Sequence, residues 1–266
     1  MRKIFLLIIV ITLSTGLFAQ DRIFNYIYQS GVLGKDQKEL EIWTTLRTGR
    51  EDYYRRIDTR AEFEIGLGKR LQTAFYLNYS SKASGIMTDT VSTLERESDF
   101  SFSNEWKVKL SDPAADIVGS AIYGELTIGT AEFEAELKVI LDKQIGLTTH
   151  ALNITFEPEW EWGPEKGQIK AEAEYKFEFD YGVGVMLGKG WTLGAEIRNP
   201  NVYVDDSWAH SALYAGPTVS FSRNDFWVNL TFMPQVIGLR GKTPGQGLNL
   251  EEFERYQVRL LFMVGL

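Results

Sequence analysis

Residues 169–187, IKAEAEYKFEFDYGVGVML, hold a two-residue alternation longer than any other part of the chain. Ile169, Ala171, Ala173, Tyr175, Phe177, Phe179, Tyr181, Val183, Val185 and Leu187 share one parity, and Lys170, Glu172, Glu174, Lys176, Glu178 and Asp180 share the other. A strand puts successive side chains on opposite faces, so the run has one apolar face and one charged face. Wound as a helix, the same residues would spread charge around the whole cylinder. At about 3.3 Å per residue the run would span roughly 60 Å, far beyond the roughly 5–6 residues usual in a soluble strand. A tilted strand that crosses a bilayer and projects past it accounts for both features, because lipid takes the apolar face and a wet lumen takes the charges. A soluble β-sandwich is the alternative that the period alone leaves open.

The same period divides the rest of the chain into eleven further strands, at about 39–47, 53–67, 71–79, 99–110, 116–128, 132–141, 150–162, 191–198, 208–221, 226–235 and 256–266. In the second, Ile57, Ala61, Phe63, Ile65 and Leu67 oppose Arg56, Asp58, Arg60, Glu62 and Glu64. Residues 81–97 are polar, Ser/Thr-rich and aperiodic and read as a first long loop; 238–250, rich in glycine, reads as a second. Residues 199–207 read as a loop of intermediate length. Twelve is an even number, and short connections follow the even-numbered strands while the long ones follow the third and eleventh. That is the asymmetry of periplasmic turns and extracellular loops when both termini are periplasmic. A break of the long run at 180–184 would make thirteen strands and lose both regularities. The expected fold is therefore all-β, a transmembrane antiparallel up-and-down β-barrel of about twelve strands, in the cell outer membrane.

Composition narrows the picture. Arg2 and Lys3 precede an apolar run, and the segment ends in Leu17, Phe18, Ala19 and Gln20, the pattern of a secretory signal cleaved after Ala19. Residues 1–19 are expected as signal peptide, 20–38 as a short periplasmic lead-in, part of which can tuck against the barrel, and 39–266 as the barrel. Loss of Arg2 and Lys3 takes the formal charge from −8 to −10, which argues against a nucleic-acid partner. The chain has no cysteine, so disulfides, thiolate metal sites and a lipoprotein anchor are excluded. After the signal no apolar stretch approaches 18 residues, leaving a closed barrel as the route across a membrane.

These features together resemble bacterial outer-membrane β-barrel proteins. The last strand alternates Tyr256, Val258, Leu260, Phe262, Val264 and Leu266; in that group it ends on an aromatic residue and is read by the barrel-assembly machinery, so terminal Leu266 departs from the motif. YGELTIG at 123–129, NITFEPEWEW at 153–162, WTLGAEIRN at 191–199 and YAGPTVSF at 214–221 look like an uncharacterised barrel family of Gram-negative bacteria, and the Ala19-Gln20 junction is similar to that common in Bacteroidota. The resemblance implies fold and location, with outer-membrane lipid, lipopolysaccharide and the assembly machinery as partners. It implies no catalytic or binding residue.

Concentrated chemistry lies on the inward parity. Glu157, Glu159 and Glu161, with Glu172, Glu174 and Glu178 on the next strand and Lys170 and Lys176 among them, make the densest acidic patch. Two readings stand side by side: ladders of salt bridges filling a narrow lumen, and a wall whose field favours cations or small cationic solutes. Tyr53, Tyr79, Trp106, Trp160, Tyr181, Trp191, Trp208 and Tyr256 fall near strand ends, where amphipathic rings suit a membrane interface. His150 and His210 are the only histidines. Ser211 follows His210 directly, so in a regular strand the two face opposite ways and form no nucleophile and base pair. Two distant histidines without cysteine argue against a structural zinc site. Single acidic residues could bind calcium in loops, but no spacing matches the twelve-residue loop of calcium-binding helix pairs, and Gly245 and Gly247 in TPGQG lack the setting of a phosphate loop. The expectation is a non-enzymatic barrel without cofactor, either a narrow cation-preferring channel for small polar solutes or ions, or a non-conducting structural or surface-interaction barrel with a salt-bridged interior.

Overall fold

The computed structural model describes residues 22–87, 92–165 and 168–266; the expected signal peptide lies outside them. The strands are β1 (Lys38–Thr48), β2 (Tyr54–Gly68), β3 (Leu71–Met87), β4 (Ser92–Ser111), β5 (Gly119–Gly129), β6 (Glu132–Ile145), β7 (Thr148–Glu165), β8 (Gln168–Gly188), β9 (Trp191–Val204), β10 (Ser207–Arg223), β11 (Phe226–Arg240) and β12 (Tyr256–Gly265). Each pairs antiparallel with its neighbours in sequence, and β1 closes the barrel on β12 from Glu39 opposite Gly265 to Thr48 opposite Tyr256. Strand number, order and closure agree with the periodicity.

The distribution of polarity is the reverse of a soluble protein's. Leu77, Phe100, Leu126, Leu137, Leu193 and Leu260 point outward and are exposed, whereas Glu62, Glu105, Asn153, Glu196 and Thr231 are completely buried inside. Large apolar side chains on the outer surface of every wall are stable against lipid and costly against water. Closure leaves the paired wall without a sheet edge, as the hydrocarbon core requires. Among the described residues no helix is long and apolar enough to cross a membrane; the crossing is made by strands.

Several expected boundaries move. Strand β8 is unbroken and pairs with β7 along its whole length, from Thr148 opposite Val185 to Glu165 opposite Gln168. β6 stops at the level of Glu161 and β9 at the level of Glu174, so the far ends of β7 and β8 pair only with each other and project beyond the closed wall. The run expected as a loop at 81–97 is also strand: β3 and β4 pair from Leu71 opposite Val108 to Met87 opposite Ser92, with residues 88–91 outside the described set. Past the membrane both faces of a hairpin meet water, so the period fades although the strand continues. Residues 199–207 likewise belong to β9 and β10, joined at Asp205 and Asp206, whose φ of 48° and 60° suit a two-residue hairpin turn. Among the described residues, only the β11–β12 connection remains a long loop.

At the opposite rim the turns are short. Lys69 and Arg70 take φ of 52° and 67° between β2 and β3. Between β4 and β5, Asp112 Oδ1 accepts the backbone N–H groups of Ala114 at 2.9 Å and Ala115 at 3.1 Å, and Oδ2 accepts Lys109 Nζ at 2.7 Å. The lysine contact first, then the two amides, hold this carboxyl down at about 2.

The segment expected as a periplasmic lead-in lies inside the barrel. Ile23, Phe24, Tyr26 and Ile27 form one buried cluster with Ala151, Ala212, Tyr214 and Met233 of the wall. Tyr28 packs on Ala121, Tyr123 and Ile140. An apolar tetrad next to a polar lumen has nothing else to bury against, and the barrel's small residues give it room.

Candidate functional site

The lumen is built by the N-terminal segment and by the inward residues of the wall. An irregular chain inside a barrel has backbone groups that a strand ladder would otherwise satisfy, so the wall must supply partners. Glu196 of β9 accepts Asn25 N–H through Oε1 at 3.1 Å and Tyr26 N–H through Oε2 at 2.8 Å. Asn153 of β7 accepts Tyr28 N–H at 2.6 Å and donates to the Tyr28 carbonyl at 3.0 Å. Gln72 of β3 accepts Leu33 N–H at 2.9 Å. The Asn25 side chain donates to Thr231 Oγ1, the Arg259 carbonyl and Asn229 Oδ1, at 2.9, 3.1 and 3.2 Å.

Glycine makes the space. A Cβ on Gly182 would come within 2.9 Å of Phe24 and 3.0 Å of Ile27, and one on Gly184 within 2.8 Å of Ile23. These two residues, in the 180–184 stretch where a break would have split the long run, form instead a slot for the apolar side chains of the segment. Cations cover its aromatic faces: Arg259 and Arg198 lie 3.9 and 4.3 Å from the Tyr26 ring centre, and Arg22 and Lys138 lie 4.0 and 4.3 Å from that of Tyr28.

From the other side the β11–β12 loop folds inward. Thr243, Asn249, Leu250 and Glu254 are buried, and Gln235 ties the loop to β11 by accepting Asn249 N–H at 2.7 Å and donating to the Asn249 carbonyl at 2.9 Å. Tyr214 donates to the Glu254 carbonyl at 2.7 Å. Phe253 packs on the cluster that holds Phe24 and Tyr26. The loop and the N-terminal segment therefore meet on one apolar core within the barrel.

The eight charged residues singled out in the sequence divide into three groups rather than one constriction. Lys176 bridges Glu157 at 3.2 Å and Glu174 at 3.5 Å and contacts Glu159. Glu178 accepts Arg198 Nε at 2.9 Å. Lys170, Glu161 and Glu172 are exposed at the projecting end of β7 and β8, with Lys170 3.5 Å from Glu172. There, with Asp99 and Glu132, they line a cavity of about 440 Å³ open to the exterior. The excess length of β8 carries this group out of the lumen.

A second set of lumen charges was recognised in the sequence only as one parity. Arg60 pairs with Glu125 at 3.0 Å, Lys138 with Glu136 at 2.8 Å, and Arg22 of the N-terminal segment with Glu41 at 3.2 Å. Arg47 pairs with Asp58 at 2.6 Å. Tyr76 and Tyr123 donate to Glu105 and Glu125.

Among the expected interfacial aromatics, Tyr53, Trp106, Tyr181, Trp191, Trp208 and Tyr256 are exposed and Tyr79 and Trp160 half-buried. Most pack on an aromatic of an adjacent strand: Tyr79 on Phe100 at 4.8 Å between ring centres, Trp160 on Phe133 at 5.7 Å, Trp191 on Phe221 at 4.8 Å, and Tyr256 on Phe232 at 5.9 Å. The two histidines make unrelated contacts: His150 Nδ1 lies 2.7 Å from the Tyr181 hydroxyl and His210 Nδ1 3.3 Å from Asn249 Nδ2, while the Ser211 hydroxyl donates to Asn201 at 2.8 Å.

The profile of a family of unknown function (DUF6662) matches residues 17–265. No curated protein matches the chain. Similar solved structures include the COG4313 outer membrane channel from Pseudomonas putida F1, at 11% identity over 89% of this chain and 98% of that one, with a TM-score of 0.59. The translocator domain of the autotransporter NalP from Neisseria meningitidis is 10% identical over 86% and 87%, with a TM-score of 0.53. The NanC porin is 10% identical over 85% and 100%, with a TM-score of 0.51. At these identities the likeness is one of fold.

Proposed function

The chain belongs to this DUF6662 family and is an outer-membrane β-barrel; we propose that it is closed to solutes at rest and works as a structural or surface-interaction barrel. The carrying observation is the N-terminal segment, whose backbone is tied to Glu196, Asn153 and Gln72 on three different strands of the wall. The β11–β12 loop, buried against the same cluster from the outside, supports the reading further. Recognition would then fall to the projecting β3–β4 and β7–β8 hairpins and to the acidic cavity beside Glu132, Glu161 and Glu172, whose field favours cationic groups.

A narrow cation-preferring path is the second reading, favoured by the acidic residues Glu157, Glu159, Glu174 and Glu178 along β7 and β8. Lys176 and Arg198 offset much of that charge, which weakens the cation preference of such a path. The outward aromatics are proposed as interfacial anchors in lipid and lipopolysaccharide, and β12 as the strand read by the assembly machinery.

Planar-bilayer recording on the folded protein tests closure. The expected trace is indistinguishable from bare membrane; steady unitary conductance from the unaltered chain would sink the proposal and restore the channel.

A further inference from the structure

We propose that Glu41, Glu62 and Glu64 form a binding site for a divalent cation, of the hard, oxygen-seeking class to which calcium belongs, inside the wall at β1 and β2. Glu41 and Glu62 are opposite one another in the β1–β2 ladder, and Glu64 follows Glu62 by one pleat on the same inward face. One carboxylate oxygen from each can be chosen so that all three lie within 4.8 Å of one another. Calcium–oxygen distances of about 2.3–2.6 Å place opposed ligands roughly 5 Å apart, so a single ion can touch all three.

Proximity of carboxylates alone would not carry this reading, and the partners of each group do. Glu41 Oε2 accepts Arg22 Nη1 at 3.2 Å and Glu64 Oε2 accepts Gln72 Nε2 at 2.7 Å. Glu62 differs: its side chain is fully buried at 0% exposure, and neither of its oxygens has a hydrogen-bond partner among the described residues. A carboxylate removed from water without a donor or a counter-charge is strongly disfavoured. Here it is directed toward two further carboxylates; among the described residues Arg22 makes the one ion pair to the trio, while the other cations nearby are Lys107, which also faces Glu105, and Arg60, which is paired with Glu125. Arg22 and Lys107 stand against four carboxylates, Glu41, Glu62, Glu64 and Glu105, and neither donates to Glu62; a divalent cation supplies both the remaining positive charge and a direct partner for Glu62. Three carboxylates without imidazole or thiolate select calcium, magnesium or manganese over zinc or copper.

Glu41 also holds Arg22, so the site lies where the N-terminal segment meets the wall. An ion there would brace β1 against β2 beneath that segment, independently of whether the lumen conducts.

The test uses the folded full chain in detergent micelles at neutral pH, stripped with EDTA and titrated with calcium chloride by calorimetry and by thermal unfolding. The expected result is saturable calcium binding, a raised melting temperature, and at least a tenfold loss of affinity for the tightest event in Glu62→Gln. The acidic rim can bind calcium weakly in any variant, so the loss in Glu62→Gln rather than the stoichiometry is diagnostic. Heat-modifiable gel migration establishes that the variant has closed its barrel; if it has not, Glu64→Gln takes its place and the same loss is expected. Absence of binding of calcium, magnesium and manganese to the folded barrel would overturn the proposal, and so would unchanged affinity in a correctly folded variant.

Discussion

Tyr26 and Glu196 stand 170 residues apart in the chain and are joined by a 2.8 Å hydrogen bond, the backbone N–H of Tyr26 donating to the Glu196 carboxylate. The second oxygen of Glu196 takes the N–H of Asn25 at 3.1 Å and the hydroxyl of Thr231 at 2.7 Å. One buried carboxylate on β9 thus acts as the acceptor for two successive amides of a segment that has no strand partner of its own. With the Thr231 hydroxyl, three donors converge on this one side chain and tie the segment to the wall.

Glu196→Gln should loosen that attachment. The amide keeps one acceptor oxygen and turns an NH2 group toward a donor, so one of the two backbone N–H groups is left buried without a partner, at a cost of about 1–3 kcal/mol. Hydrogen exchange followed by mass spectrometry should show the peptide covering Asn25 and Tyr26 exchanging at least tenfold faster, with the strands unchanged. Equal protection in the two proteins would remove Glu196 from the anchoring role.

Gly182 offers a steric test of the same contact. A Cβ at this position would meet Phe24 at 2.9 Å and Ile27 at 3.0 Å, and the branches of a valine would reach further into both. Gly182→Val should displace the segment while β8 keeps its pairing, since valine suits a strand. The chain has no cysteine, so Ile27→Cys provides a single thiol. A polar maleimide should label it slowly in the parent barrel and at least tenfold faster when Gly182→Val is added; equal rates would mean that the slot does not hold the segment.

These contacts explain what could and could not be read from the sequence. The alternation of Phe177 and Phe179 with Glu178 and Asp180 reports lipid on one side and lumen on the other, and it recurs in every wall, so strand number and facing were legible. At Glu172 and Lys170, and again across residues 93–98, both faces are wet; no pattern separates a projecting hairpin from a loop. The N-terminal segment was opaque for a different reason. Asn25, Tyr26 and Tyr28 are held by Glu196, Asn153, Thr231 and Arg259 from four strands, and no local period encodes partners that only closure brings together. Gly182 and Gly184 were the available signal, two inward positions with no side chain on the chain's most regular strand.

Acid should open the β4–β5 turn. Asp112 titrates at about 2 against an ordinary value of 3.8, held down by Lys109 and by the amides of Ala114 and Ala115. A carboxyl depressed in the folded state stabilises the turn above its unfolded value and loses that contribution as pH falls through the folded one. The window is therefore from about pH 4 to about pH 2. Carboxyl NMR of the barrel in micelles should place the midpoint well below 3, with the Ala114 and Ala115 amide shifts moving in step. A midpoint near 4 would show that the lysine and the amides do not grip the carboxylate.

The last prediction separates closure from selectivity. Deletion of residues 22–33 removes the apolar cluster of Phe24 and Ile27 and frees Glu196, Asn153 and Gln72, but it takes no bond from the strand ladders, which close through β1 and β12. The truncated barrel should still fold, as judged by heat-modifiable migration, and should conduct where the parent does not. Its current should favour cations modestly, because Lys176 offsets Glu157, Glu159 and Glu174 and Arg198 offsets Glu178. Lys176→Gln leaves those carboxylates without their shared counter-charge, and in a potassium chloride gradient the reversal potential of the truncated barrel should then move further toward the potassium equilibrium value. A conducting barrel whose reversal potential ignores Lys176 would place the ion path away from β7 and β8, and a silent one would assign closure to the β11–β12 loop instead of the N-terminal segment.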